Sequence, residues 1–489
     1  MSSRKFNEYK GLDLPQLGRE VLEVWDRENT FGRSITEREG APAFIFYEGP
    51  PSANGLPGIH HVLSRTIKDT ICRYKTQQGY LVRRKAGWDT HGLPVELGVE
   101  KKLGITKEDI GHKISIEEYN RTCREAVMEF TGVWEELTRK MGYWVDMKHP
   151  YITYENKYIE TLWWMLKQLF DKGLLYKGYT IQPYSPAAGT GLSNHELNQP
   201  GCYRDVKDTT CTAQFEIIRD ERSEFLFDDA QGTLYFLAWT TTPWTLPSNT
   251  ALAVGDNIEY VRVKCLNPYT QQPQTVILAK ELLPAYFTPK MEGTYSIGER
   301  IYKGSELVGI RYRQLIDWVK PMGDAFRVIS GDYVTTVDGT GIVHIAPTFG
   351  ADDDRVGKQA GIVPMYVVDR AGKNQPMVDR RGRLFRIEDM DPDFVAKYVD
   401  AERYREWAGR FVKNAYDPSL GPDDPTLDID IAVMLKGEGK AFKIEKHTHS
   451  YPHCWRTDKP VLYYPLDSWF IRTTALRERL MELNDTIDW

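Results

Sequence analysis

The sequence predicts an α/β fold interrupted by a β-rich insert. Two observations carry this expectation. Near residue 60 an apolar run enters a loop dense in Gly and Pro and leaves it as a helix, the strand–loop–helix order of α/β folds. From about 185 to about 400 short strand-like runs separated by Gly and Pro dominate, and helical pattern returns after Trp469. At 489 residues the chain is too long for one ordinary core. The boundaries expected from the texture are 1–189, 190–420 and 421–489.

Each element follows from local pattern. Residues 13–32 read as a helix with Leu17, Val21, Leu22 and Trp25 on one face. AFIFYE, residues 43–48, reads as a buried strand. Beyond His61, Leu63, Ile67, Ile71 and Tyr74 keep helical spacing, so a helix starts at the pair of histidines. YLVRRKAGWD reads as a second strand ending at Trp88–Asp89, and residues 115–145 and 155–173 as helices. Within the insert CTAQFEII, TLYFLAWTTT, YVRVKC, TVILA and GIVHIAP read as strands, and DIDIAVML near 428 as another.

Composition excludes several classes. Hydrophobic content of 41% with 27% charged residues is ordinary for a globular protein. No run of about eighteen apolar residues exists, so no membrane span is expected. The polar start MSSRKFNEYKGLDL lacks the apolar centre of a signal peptide. Six cysteines lie far apart, and no two form a C-x-x-C pair, which fits a reducing cytoplasm better than a disulfide framework. A net charge of −6 disfavours indiscriminate coating of nucleic acid, while a local basic patch stays possible.

The loop GPPSANGLPGIHH, residues 49–61, is the first candidate site. Glycines let backbone N–H groups approach a phosphate, and the helix start adds partial positive charge. Histidines there can stabilise charge developing in phosphoryl or adenylyl transfer. Read alone, the loop fits equally a turn carrying two solvated histidines.

Three segments together, PPSANGLPGIHH, GWDTHGLPVELGVEKKLGI and WTTTPWTLPSN, resemble the isoleucyl-tRNA synthetases, a family of class I aminoacyl-tRNA synthetases. The resemblance covers essentially the whole chain. It implies a Rossmann-like catalytic domain, begun in 1–189 and resumed in 421–489, split by a β-rich editing domain at 190–420. It implies an ATP-dependent ligase of isoleucine and its tRNA, cytoplasmic and monomeric, with ATP and Mg at the first loop, where Pro51, Asn54, Gly58, His60 and His61 would bind. The family's loop ends His-x-Gly-His. Here His61 holds the second histidine position, Gly58 stands at the first, and His60 replaces the usual glycine. That bulk is expected to displace the loop or the base. Asp89 would hold the ammonium of isoleucine, with Pro50 lining the side-chain pocket. Read from the residues alone, Asp89 before a turn can also be a helix cap, a common role for Asp.

An isoleucine pocket refuses valine poorly, because one methylene is worth only ~1–3 kcal/mol, a limit for which this family is the standard illustration. A second, hydrolytic site is expected. The resemblance places it on Thr240, Thr241, Thr242, Thr245 and Asn249 after one strand, and on His344 and Asp353 near another. Asp353 would anchor the amino group of a mischarged residue, the threonines would surround the terminal adenosine and a water, and His344 would restrict the side chain. Three adjacent threonines are otherwise a common β-edge. The segment DRRGRLFR, residues 379–386, is either a solvated loop or a contact for RNA phosphates.

Many family members hold zinc between two C-x-x-C pairs. Here those positions carry Ser185, Ala188, Cys454 and Thr457, so no zinc is expected in this chain, and any in a parent would use residues beyond it. The strands are expected to pack through Tyr184 and Trp455 instead. The family's second ATP motif and anticodon-binding domain are also missing, so the chain reads as a fragment not expected to aminoacylate. A free-standing hydrolase of mischarged tRNA is the alternative, and a non-catalytic nucleotide- or tRNA-binding module a weaker one.

Overall fold

The computed structural model describes residues 11–288, 293–421 and 424–487. The opening residues 1–10, read above as part of a start without a signal peptide, lie outside the described residues. The chain forms two compact units, Met1–Tyr176 with Ile471–Trp489, and Lys177–Phe470.

In the first unit the expected helices form. Asp13 caps Leu14–Arg27 by accepting from the Gln16 N–H at 3.0 Å, and a second short helix follows at Thr30–Thr36. Helices Ile116–Val127, Thr131–Lys140 and Asn156–Asp171 fill the stretches expected to be helical. Strands Lys85–Trp88 and Asp146–Ile152 pair in parallel. The AFIFYE segment is not the expected buried strand. It is extended, but pairing stops at the bridge between Ala43 and Leu81, and Ile45 and Tyr47 are exposed. An apolar run alone does not make a strand; it needs a neighbour to take its N–H and C=O groups.

The helix Ile59–Gln77 forms where its spacing predicts, yet it buries Arg65, Asp69, Cys72 and Thr76, while Leu63, Ile67, Ile71 and Tyr74 are exposed. The buried face is largely polar, and several of its groups are hydrogen-bonded. Asp69 accepts from Arg73 at 2.7 Å and from the Trp144 N–H at 3.2 Å, and Arg84 donates to Thr76 at 2.7 Å.

The second unit is built on a six-stranded sheet in the order Ser296–Lys303, Glu259–Leu266, Pro273–Ala279, Thr233–Thr240, Tyr203–Glu216, Ala441–Pro452. All neighbours are antiparallel except Thr233–Thr240 with Pro273–Ala279. A three-stranded sheet, Arg327–Ser330, Ala251–Val254, Ile342–Ile345, packs beside it. The core between them holds Phe215, Phe236, Tyr260, Leu252 and Ile342.

This unit extends past both expected insert limits, 190 and 420. Ala441–Pro452 runs along Tyr203–Glu216 from Pro452 beside Tyr203 to Ala441 beside Ala213, which ties residues after 420 to the sheet. DIDIAVML is a correction: it lies in the helix Leu427–Gly437, not a strand. Its Asp–Ile alternation imitates a period of two, but Leu427, Ile431, Ala432 and Leu435 are buried at helical spacing, and Thr426 caps the start by accepting from Ile429.

Candidate active site

Two sites were expected, and each lies within one unit. In the first unit the loop after Glu48 is pinned from behind. The Trp134 indole donates to the Gly55 carbonyl at 2.9 Å, and the Phe130 N–H donates to the Ala53 carbonyl. His61 caps its own helix, its Nδ1 accepting from the Gly58 N–H at 2.9 Å. Its ring lies edge-on to Trp134, with centroids 4.7 Å apart. Burial lowers its pKa, with His60 and Arg65 adding to the effect.

The His60 ring lies over Gly58, where an added Cβ would fall 2.8 Å from it. The missing side chain at 58 and the added one at 60 therefore occupy neighbouring space. Pro50, Pro51, Asn54 and His61 line a cleft of about 460 Å³ together with Glu48, Ser64, Arg65 and Lys68. The last four sit either side of the motif, where no local pattern marks them as lining. Lys68 pairs with Glu48 at 2.7 Å. Asp89 is exposed and stands apart from that lining, although its N–H donates to the Pro51 carbonyl at 3.0 Å.

In the second unit the threonine-rich segment leaves the strand Thr233–Thr240 and turns into the short 3₁₀ helix Pro243–Ser248. Thr240 Oγ1 accepts from the Thr242 N–H at 3.0 Å, and the Thr245 hydroxyl donates to the Thr242 carbonyl at 2.8 Å. His344 comes from the strand Ile342–Ile345, in register with Leu252. Gly341 before it has φ +72, and a Cβ there would fall 2.4 Å from that of Ala279, so only glycine lets the strand enter this close.

The His344 ring is held on both sides. Its Nε2 lies 2.9 Å from Thr245 Oγ1 and its Nδ1 3.3 Å from Asn249 Nδ2. Asn249 Oδ1 accepts from the Tyr312 hydroxyl at 2.8 Å, which orients the amide so that Nδ2 faces His344. Nδ1 is then the acceptor and Nε2 carries the proton. Burial pushes the imidazole down to about 4, so it is neutral at physiological pH. Both ring nitrogens are thus engaged by neighbouring side chains.

Asp353 lies in the first turn of the helix Ala351–Ala360. Its Oδ2 accepts from the Ala346 N–H at 2.8 Å and its Oδ1 from the Tyr333 hydroxyl at 3.2 Å. Surrounding protein pushes its carboxyl up to about 6, against those two donors. It is enclosed yet still open to the cavity, and it remains an anion at neutral pH. Thr240, Thr241, Thr242, Thr245, His344 and Asp353 line one cavity of about 330 Å³. Asn249 stands behind His344. Trp239, Tyr333 and Phe349 also line it and were not anticipated; nothing in their local sequence marks an aromatic as a wall.

The arginine segment is partly spoken for. Arg383 pairs with Asp379 and Arg386 with Asp389, both at 2.7 Å. At the four positions considered for zinc, Ser185 Oγ accepts from the Ala188 N–H at 3.2 Å, and the Thr457 N–H donates to the Cys454 carbonyl at 3.3 Å. Ala188 carries no donor atom for a metal. Among the described residues no group of three or more His, Cys, Asp or Glu is arranged to hold a metal ion. Tyr184 packs against Tyr464 with centroids 5.4 Å apart, but Trp455 is exposed under Arg456, so the expected packing through Trp455 is corrected. Its neighbour Cys454 fills the buried place instead.

The α/β architecture with a β-rich unit and the motif residues gathered in it define the class, and sequence comparison agrees. The chain belongs to the family described as tRNA synthetases class I (I, L, M and V), whose profile matches residues 20–489. It is 64% identical over 500 aligned residues to "Isoleucine--tRNA ligase" of Bacteroides fragilis, covering 100% of this chain and 43% of that protein. It is 63% identical to the protein of the same name from Porphyromonas gingivalis, covering 100% and 44%, and 43% identical to that of Clostridium tetani, covering 98% and 41%. The chain thus spans under half the length of these curated relatives. A solved structure titled "The crystal structure of GlLeuRS-CP1" matches 49% of this chain and 99% of its own at 14% identity and a TM-score of 0.32. No helix among the described residues is long and apolar enough to cross a membrane.

Proposed function

We propose that the chain is part of an isoleucine–tRNA ligase and that its second unit carries the hydrolytic site for tRNA mischarged with valine. The observation that carries this is the joint lining of one cavity by an anion, Asp353, a fixed neutral wall, His344, and the hydroxyls of Thr240, Thr241 and Thr242. An aminoacyl ester offers matching groups: an ammonium for Asp353, a side chain to be measured against His344, and ribose and water oxygens for the threonines. Water attacks the ester carbonyl, the carbonyl–ribose oxygen bond breaks, and valine and free tRNA leave. The family match over nearly the whole chain favours this reading over a free-standing hydrolase.

In the first unit ATP with Mg is proposed at the cleft beside His61, where the loop backbone, His61 and Lys68 would face a phosphate. Asp89 is proposed for the ammonium of isoleucine, with Pro50 beside its side chain. A monomer in the cytoplasm fits this role.

The discriminating experiment compares hydrolysis-resistant valyl- and isoleucyl-adenosine analogues by titration calorimetry. The chain is expected to bind the valyl analogue and exclude the isoleucyl one, and His344→Ala to admit both. Continued exclusion by the variant places the sieve on other residues.

A further inference from the structure

The threonine-rich turn is held by a group far away in sequence. The 3₁₀ helix Pro243–Ser248 has no side-chain cap from Thr242, and Pro243 has no N–H, so the Trp244 N–H is its first free donor. That N–H donates to Asp428 Oδ1 at 2.9 Å. Asp428 belongs to the helix Leu427–Gly437 and is 1% exposed. Its other oxygen lies 3.5 Å from Lys413 Nζ, and Lys413 in turn pairs with Asp208 at 3.1 Å. His449 Nε2 completes the group, 3.2 Å from Asp208. Burial alone would lower the Lys413 ammonium, but Asp428, Tyr451 and Asp208 outweigh it and hold it above its ordinary value, whereas burial of Asp428 outweighs Lys413 and the Trp244 N–H and raises its carboxyl to about 6, still ionised at neutral pH.

Two consequences reach the cavity. The Trp244 indole meets Phe349 edge-on at 5.0 Å, and Phe349 is cavity wall. Thr242 and Thr245, either side of Trp244, are cavity lining too. A buried ion pair is a poor way to gain stability, since apolar residues of the same volume do as well or better. A carboxylate at this position does what an apolar residue cannot: it accepts the first amide of the turn through a charge-assisted bond.

We propose that Asp428, held in place by Lys413, is a positioning residue for the hydrolytic cavity, setting the Thr242–Thr245 turn through the Trp244 N–H. This rests on the hydrolytic reading of the cavity. It touches no substrate and moves no proton.

The test uses the full 489-residue chain with Asp428→Asn and Asp428→Leu. The amide oxygen of Asn still accepts the Trp244 N–H; Leu fills the space without an acceptor. Two readouts are taken: affinity for the hydrolysis-resistant valyl-adenosine analogue, and amide hydrogen exchange of residues 242–249. Asp428→Asn keeps an acceptor but turns its amide NH2 toward Lys413, so it is expected to lose about threefold in affinity and gain about threefold in exchange, and Asp428→Leu to bind about tenfold more weakly and exchange about tenfold faster in that segment. A merely structural role would lower the thermal midpoint in both variants without separating them in affinity. If Asp428→Leu does not fold, Lys413→Met with Asp428→Leu removes both charges and takes its place. Equal affinity and equal exchange in the Asn and Leu variants would overturn the proposal. If the unchanged chain does not bind the analogue, the hydrolytic reading fails, and the exchange readout still decides what Asp428 holds.

Discussion

The two candidate sites are organised in opposite ways. In Lys177–Phe470 each key side chain is fixed by a second one. Tyr312 orients Asn249, which faces His344, which meets Thr245, while Tyr333 and the Ala346 N–H hold Asp353. In the first unit the loop is pinned through its backbone, and Asp89 and His60 are exposed. The proposed sieve would need rigid walls, because one methylene is worth only ~1–3 kcal/mol. A phosphate-facing loop works through backbone N–H groups and tolerates mobile side chains. The same substitution logic should therefore give large, specific effects in the cavity and small ones at the loop.

The first expected effect is pH dependence in the cavity. An ammonium partner needs Asp353 ionised, and burial sets its carboxyl at about 6. Affinity for the valyl-adenosine analogue should hold above that value and fall about tenfold per pH unit below it, since only the ionised fraction binds. His344, at about 4, stays neutral across most of this window. Calorimetric titrations from pH 7.5 to 5 check this; a flat profile would remove Asp353 as the ammonium partner.

Next comes Asn249→Ala, which leaves the buried Tyr312 hydroxyl and one His344 nitrogen without partners. A loss of about 1–3 kcal/mol in urea denaturation is expected. A loss within experimental error would mean that the ring is held by packing alone.

Tyr333→Phe should act more weakly. Its hydroxyl favours the ionised carboxylate, so removing it raises the Asp353 pKa further and moves the fall in affinity to higher pH. About threefold weaker binding near neutrality is expected. An unmoved profile would show that the Ala346 N–H suffices.

Gly58→Ala should do least. Its φ of −101 suits alanine, and only the His60 ring must shift. Stability should change by less than about 0.5 kcal/mol, while the histidine ring NMR signals move. A substantial stability loss there would make the loop as rigid as the cavity and dissolve the contrast.

Much of this was legible in the sequence. The threonine run, His344 and Asp353 sit in short segments whose residue types carry their chemistry, and the fold gathers them in one cavity. What the sequence hid is long-range. Tyr312 and Asp428 act on the site from other elements, and no local pattern distinguishes them from core residues; Phe349 sits between His344 and Asp353 in the same segment, but nothing there marks it as a wall. Asp428 was hidden twice over, because its helix imitates a strand in its Asp–Ile alternation. AFIFYE is the converse case: its composition suits a strand, but among the described residues its pairing is the single bridge of Ala43 with Leu81. The helix Ile59–Gln77 shows the limit of periodicity, which located the helix while the polar Arg84–Asp69–Arg73 contacts decided which face is buried.

The cavity of the second unit is proposed to receive an amino acid by its ammonium group. Titration calorimetry of the hydrolysis-resistant valyl-adenosine analogue into the chain and into Asp353→Ala at pH 7.5 tests it most directly. Saturable binding to the unchanged chain and a loss of about a hundredfold or more in the variant are expected, the worth of a buried charged partner at about 3 kcal/mol. Equal affinity in the two proteins would contradict it.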